Sequence, residues 1–224
     1  MPKFLSFILL GVLAVVGLGA ATLGVVQSKS GTTLSQAVTN TLNAQSYTEN
    51  LAEKTPQGNQ TASLSYQAPD RLGGWLDSVG RRTYLVIIGT TEYISVTRPI
   101  KGAKGPIVFY KQQTEGAKAV DPAHTYLMYY DKGTSTKSGS VTTVTLSQGG
   151  ETEKLIYTVT GNYVSNFKAV TPGGTINLTI GNVGSAPKVS LPSGAKFATS
   201  PPATSPPATS PPATSPPATS ATSG

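Results

Sequence analysis

Apolar and polar positions alternate most cleanly between Thr61 and Val96. Ala62, Leu64 and Tyr66 alternate with Thr61, Ser63, Ser65 and Gln67, the two-residue period of a strand with one wet face. Further on, Ile88 and Thr91 flank Gly89-Thr90, and a glycine in first place suits the type II′ turn of a tight hairpin. The run from Tyr84 to Ile88 is apolar on both faces, so core must cover one side and something else apolar the other. Pro106 to Gln112 has the same character, with Ile107 and Phe109 on one face and Val108 and Tyr110 on the other.

Two stretches change to helical spacing. Thr33-Leu34-Ser35-Gln36 reads as a capping box, after which Leu34, Ala37, Val38, Thr41 and Leu42 form one apolar stripe over about three turns. Asp121-Pro122 is a second helix start, since aspartate caps and proline suits the first helical position. Ala123, Tyr126, Leu127 and Tyr130 follow at i, i+3, i+4 and i+7, with Lys132 in the last turn and Gly133 as a left-handed stop. His124 falls off that stripe and reads as a surface residue.

Strands fill most of the remainder. One begins at Ser46, with Gln57-Gly58-Asn59 as the turn after it. Four more come at regular spacing: Ser140 to Ser147, Glu153 to Thr160, Tyr163 to Thr171 and Thr175 to Gly181. Gly73-Gly74 frees the backbone around Trp75, which reads as an aromatic in a loop, packed locally or rimming a pocket. The domain closes near Val189 to Pro192.

The ends are of other kinds. Phe4 to Val26 is uncharged, comes after Lys3, and at about 1.5 Å per residue is long enough for a bilayer core of about 30 Å. It reads as an uncleaved anchor, or as a signal peptide cleaved near Gly19-Ala20-Ala21; in either case the domain beyond it is exported. Residues 201–220 are four copies of Pro-Pro-Ala-Thr-Ser, a disordered tail biased to polyproline II with the composition of a glycosylated stalk. The organisation expected is therefore 1–29 anchor or signal, 30–197 folded ectodomain and 198–224 tail.

Composition removes whole classes of chemistry. The chain has no cysteine and one histidine, which excludes disulfides, thiolate nucleophiles and His-based zinc sites. Twenty-four glycines and 17 prolines among short β-rich runs favour a sheet-dominated class. The net charge of +7 includes Arg81, Arg82, Arg98, Lys101, Lys104, Lys111 and Lys118 against Glu115, read as a solvated face rather than a polyanion site. Export removes nucleic acid as a partner. No phosphate loop, dinucleotide fingerprint or nucleophile elbow occurs. Ser165-x-x-Lys168 and Ser193-x-x-Lys196 match a penicillin-enzyme string by letters alone, in a strand and at the domain's end. Asp70 with Asp77, and Glu151 with Glu153, lie by expected turns and read as turn or solvent residues.

A short helix, several strands, an Asp-Pro helix and a closing meander form an order that resembles the LolA-like lipoprotein-carrier half-barrels, the family of the mycobacterial LppX and LprG type. The resemblance rests on Tyr66-Gln67-Ala68-Pro69-Asp70-Arg71 after a strand, on Ile87-Ile88-Gly89-Thr90-Thr91-Glu92-Tyr93 as the next hairpin, on Asp121-Pro122, and on Val189-Ser190-Leu191-Pro192. It covers about Thr33 to Lys196. It implies an α+β fold: a strongly curved antiparallel sheet packed against a few short helices, with acyl chains in the apolar space between. The amino-terminal cysteine that mycobacterial members carry for lipid attachment is missing here, so the anchor would be the apolar segment, and capture or handing-on at the membrane surface replaces shuttling.

From patterning, the ligand-contact candidates are Tyr84, Val86, Ile88, Ile107, Phe109, Tyr126, Leu127 and Tyr130, each otherwise simple core. The function expected is an exported, membrane-tethered lipid or lipoprotein-binding module, with no catalytic residue, metal or cofactor. Its partners would be an acyl chain, the membrane and a cell-wall polymer. The alternative is a structural or adhesive surface domain with a closed core and a wall-associated tail.

Overall fold

The structure is a computed structural model that describes residues 32–95, 98–102, 105–148 and 151–198. The anchor segment, the Pro-Pro-Ala-Thr-Ser repeats, Lys104 and the turn at residues 149 and 150 lie outside the described residues. Among the described residues no helix is long and apolar enough to cross a membrane.

Almost every strand joins one sheet. The first meander is β1 (Ser46–Thr55), β2 (Gly58–Gln67), β3 (Arg71–Ser78), β4 (Arg81–Ile88) and β5 (Thr91–Ser95), with β6 (Arg98–Pro99) beside β4 and β7 (Val108–Gln113) beside β5. The second is β8 (Thr134–Ser138), β9 (Val141–Gln148), β10 (Glu151–Thr160), β11 (Tyr163–Thr171) and β12 (Gly174–Gly181). Antiparallel pairing of β1 with β12 welds the two into the order β13-β7-β5-β4-β3-β2-β1-β12-β11-β10-β9-β8, where β13 (Lys196–Phe197) adds to β7 in parallel. The two ends do not meet, so the sheet is an unclosed antiparallel half-barrel with few short helices.

Alternation sorts its faces. Tyr47, Glu49, Leu51 and Glu53 of β1 point the same way as Ala62, Leu64 and Tyr66 of β2, Leu72 of β3, and Leu85 and Ile87 of β4. With Val144, Leu155, Tyr157, Phe167, Ile176 and Leu178, the apolar members of this set form one buried cluster. Strands seven places apart share that core, which requires the sheet to curl around it.

The topology dictates the filling of the curl. β7 and β8 are consecutive in sequence but lie near opposite ends of the sheet, so residues 114–133 must cross the concave side. This crossover carries α2 (Ala117–Val120), α3 (Pro122–Tyr126) and a 3₁₀ turn (Leu127–Tyr129), and buries Ala117, Ala123, Tyr126 and Leu127. The expected Asp-Pro start is correct, but α3 is one turn long and tightens into the 3₁₀ segment. The helix α1 (Leu34–Leu42) opens with the expected capping box and buries Ala37, Val38 and Thr41. It sits over β10 and β11, where the Thr41 hydroxyl accepts from the Val164 N–H at 3.0 Å.

Several expectations need correcting. Trp75 is not in a loop but in the middle of β3, opposite Tyr84. The missed feature is the β3–β4 turn at Val79-Gly80, with φ of 49° and 72°, the type I′ geometry that asparagine-glycine would announce; an exposed valine conceals it. Asp77 is no turn residue, because it holds Arg82 in a two-pronged ion pair of 2.6 and 2.7 Å. The turn after β1 comes one residue earlier than expected, and Gly58 already belongs to β2. Gly133 is not a left-handed stop. It is glycine for want of room, since a Cβ there would run into the Thr145 carbonyl and come within 2.7 Å of Leu146 Cδ2. The Gly89 turn is as expected, with φ of 62°.

Two substitutions test this reading. Gly133→Ala should lower the unfolding free energy by about 1–3 kcal/mol through a backbone clash, while Gly173→Ala, whose nearest contact would be 3.7 Å, stays close to the parent in urea titration. Val79→Asn should raise the urea midpoint, by about 0.5–1 kcal/mol in stability, because asparagine tolerates positive φ better than a β-branched residue.

Candidate functional site

Where the crossover meets the centre of the sheet, a group of polar side chains lies inside the apolar core. β1 sets it up by placing acids at core-facing positions: Glu49 is 1% exposed and Glu53 4%. Asp121, fully buried, caps α3 and is the shared acceptor. Its Oδ2 accepts from the Tyr47 hydroxyl at 2.8 Å and the His124 N–H at 3.0 Å, and faces His124 Nδ1 at 2.7 Å. Glu49 Oε1 accepts from the Ala123 N–H at 2.8 Å, which ties another residue of the same turn to β1. Tyr47 stacks on Tyr66 with ring centroids 4.8 Å apart, and Tyr66 meets the His124 ring at 5.2 Å.

Burial decides the charge states. It holds the Glu49 carboxyl well above the usual carboxylate range, and the neighbouring Asp121 charge adds to the effect. Burial and Asp121 likewise raise the Tyr47 phenol, and raise Tyr66 to about 12. The Ala123 N–H bond to Glu49 and the Tyr47 hydroxyl bond to Asp121 fasten the crossover to β1. Glu49 Oε2 and Asp121 Oδ1 are buried without a hydrogen-bond partner, and so are Glu53 Oε2, on a carboxyl that burial raises, and Tyr157 OH.

His124 is therefore not the isolated surface residue expected. Its side chain is 15% exposed and is oriented by Asp121. Its Nδ1 is engaged by both Asp121 and Tyr47. Among the described residues no group of three or more His, Cys, Asp or Glu is placed to hold a metal.

The candidates nominated from patterning do not converge on one place. Tyr126 and Leu127 are buried in the concave core, Tyr126 stacking on Phe167 at 5.7 Å. Tyr130 is half-buried and its hydroxyl accepts from Ser35 of α1 at 3.3 Å. Tyr84, Val86 and Ile88 point to the opposite, outer side of β4, and Phe109 shares that side on β7. Ile107 precedes β7, and its carbonyl accepts from Lys196 in β13. Glu49, Glu53, Tyr47 and Tyr157 are absent from the nominated set. Their signal in the sequence is Tyr47-x-Glu49-x-Leu51-x-Glu53, acids at the core positions of a period-2 strand.

Comparisons with protein-family models and with curated proteins give no match. Among solved structures, the chain is similar to the crystal structure of LprF from Mycobacterium bovis, with 12% identity over 71% of this chain and 94% of that one and a TM-score of 0.41. It is also similar to the crystal structure of the Mycobacterium tuberculosis lipoprotein LppX, with 11% identity over 70% and 96% and a TM-score of 0.44. The latter is of the type that the sequence motifs resemble. At these identities and scores the likenesses assign no role to any residue.

The polar group has a measurable consequence. A carboxyl raised on folding binds its proton more tightly in the folded chain, so its contribution is full below about pH 4.5 and is lost as pH rises through its folded value. Glu49→Gln keeps an acceptor toward the Ala123 N–H but cannot ionise. Relative to the parent, its unfolding free energy should improve steadily as pH rises above about 4.5. Urea titrations of the two proteins between pH 4 and 9 give that difference directly.

Proposed function

We propose that the domain is an extracytoplasmic, membrane-tethered lipid-binding module that acts without covalent chemistry, taking an acyl chain between the concave face and the crossover of residues 114–133. The supporting observation is that buried polar atoms lack partners, among them Glu53 Oε2 and Tyr157 OH, which face a largely apolar interior. Each such atom costs about 1–3 kcal/mol, a poor choice for a core that only has to stay closed. Beside Leu51, Leu155, Leu178 and Phe167 they provide the features an amphipathic ligand uses, apolar walls with a few polar groups that fix orientation. Tyr126 and Leu127 then act as the movable wall, with the Glu49–Ala123 and Tyr47–Asp121 hydrogen bonds as its fastening. Tyr84, Val86, Ile88, Ile107 and Phe109 lie on the other side and take no part.

A second reading, a structural or adhesive surface domain, draws on a different observation. Tyr47, Tyr66, Tyr126 and Tyr157 are at most 1% exposed, and two surface concavities, one at Gly73-Gly74 and one at Asn40 and Asn162, lie outside the curl. On that reading the core stays shut and the repeat tail contacts a wall polymer.

Native mass spectrometry of residues 30–197 separates the two. Co-purified lipid, or a thermal midpoint raised by added diacyl lipid, is the expected result. A single apo mass with no shift would leave the closed structural domain.

A further inference from the structure

The outer side of the sheet carries a second feature. β3 and β4 are apolar on this side as well, and their cover is residues 186–192, an extended strap outside any helix or strand. The strap is held by Val189, whose N–H donates to Gln67 Oε1 at 2.8 Å and whose side chain lies where a Cβ on Gly73 would come within 2.9 Å of it. It covers only part of the surface. Next to it remains an open groove of about 240 Å³, floored by Gly73-Gly74 and lined by Trp75, Tyr84, Val86 and Pro192. Trp75 and Tyr84 are directly opposed across β3 and β4, and the Arg82 guanidinium lies 3.9 Å from the indole centroid, fixed in turn by Asp77.

A half-buried tryptophan–tyrosine pair beside a flat, glycine-lined floor is the surface that binds proline-rich extended chain, whose conformational entropy is already low. The strap supplies the precedent on this molecule: Ala186-Pro187-Lys188-Val189-Ser190-Leu191-Pro192 is itself a proline-flanked extended segment seated on that face. More chain rich in proline comes soon after it. Residues 199–224 carry no charged side chain and contain four Pro-Pro-Ala-Thr-Ser units. They leave from β13, and β4 and β3 are three and four strands away from it, less than about 20 Å at about 4.8 Å per strand. Seven residues of extended chain at about 3.1 Å each reach roughly that far, enough for Pro206-Pro207 to meet the groove. Tethering gives the segment an effective concentration of about millimolar, which favours a contact whose intrinsic Kd lies below that.

We propose that the Pro-Pro-Ala-Thr-Ser tail of the same molecule folds back over the outer groove and seats a proline pair against Trp75 and Tyr84. An external proline-rich ligand has to displace the tail to bind.

The chain's single tryptophan and lack of cysteine make this directly testable. Ala208→Cys in the full-length protein, in detergent if the anchor is retained, takes one bimane label, which tryptophan quenches on contact. At low micromolar concentration its emission should be at least twofold below that of the same labelled chain carrying Trp75→Phe. Replacing the prolines of residues 201–217 with glycine should relieve the quenching, as should Tyr84→Ser, which keeps the tryptophan in place. Circular dichroism melts confirm that each variant is folded. Equal emission with and without Trp75, or quenching that survives the proline replacement, overturns the proposal. Quenching that appears only as protein concentration rises, or on mixing labelled Trp75→Phe chains with unlabelled parent, assigns the groove to a second copy and also overturns it.

Discussion

The fold depends on one crossing. A chain that ends its first meander at β7 and must begin its second at β8 has to traverse the concave side of its own sheet, because those strands lie near opposite ends. Residues 114–133 make that passage without a long helix, and the polar contacts at Asp121 tie them to the sheet. One side chain caps α3, takes the Tyr47 hydroxyl and faces both His124 and Glu49. Through Glu49 and Tyr47 the crossing is tied to β1, the strand that pairs with β12 and so joins the two meanders. The junction of the sheet and the placement of its filling are thus settled at the same point.

The two faces of the sheet solve different problems. On the concave side the meanders and the crossover supply a continuous apolar core. On the outer side β3, β4, β5 and β7 carry apolar positions, and the chain returns after β12 to cover them: Val189 fits against Gly73, and Phe197 meets the Tyr93 ring at 5.9 Å. Elsewhere outer positions are polar, such as Asn50 of β1 and Asn166, Asn177 and Thr179 of β11 and β12, the last three linked by hydrogen bonds on the solvent side. The closing segment is therefore a second cover, and its length past β12 is explained by the area it has to reach.

Much of this is legible in the sequence. Period-2 runs locate most strands, the capping box locates α1, and the doubly apolar run from Tyr84 to Ile88 correctly demands a second cover. The failures have local physical causes. Val79-Gly80 lacks turn chemistry, so the β3–β4 hairpin is invisible and Trp75 reads as a loop residue. β8 is exposed along its whole length and has no apolar alternation to announce it. The buried acids escape because alternation rules sort Glu49 and Glu53 to the solvent face, whereas Glu49 is turned inward onto the Ala123 N–H and burial raises its carboxyl. His124 is misplaced because α3 is too short for its stripe to define which side is wet.

Magnitudes bear on whether a filled interior is compatible with a binding role. Lifting the crossover exposes Tyr126 and Leu127, about 1.5–3 kcal/mol each, and breaks hydrogen bonds worth about 0.5–1.5 kcal/mol apiece, somewhat more where charge is involved. On the proposed reading, a sixteen-carbon acyl chain taken from water would gain on the order of 0.8 kcal/mol per buried methylene, about 12 kcal/mol in all, against that cost. The welded strands would keep their ladder while the short, capped crossing moved. A shut interior and a lipid-bearing one would then differ mainly in the position of residues 114–133, which the Glu49–Ala123 and Tyr47–Asp121 hydrogen bonds tie to β1.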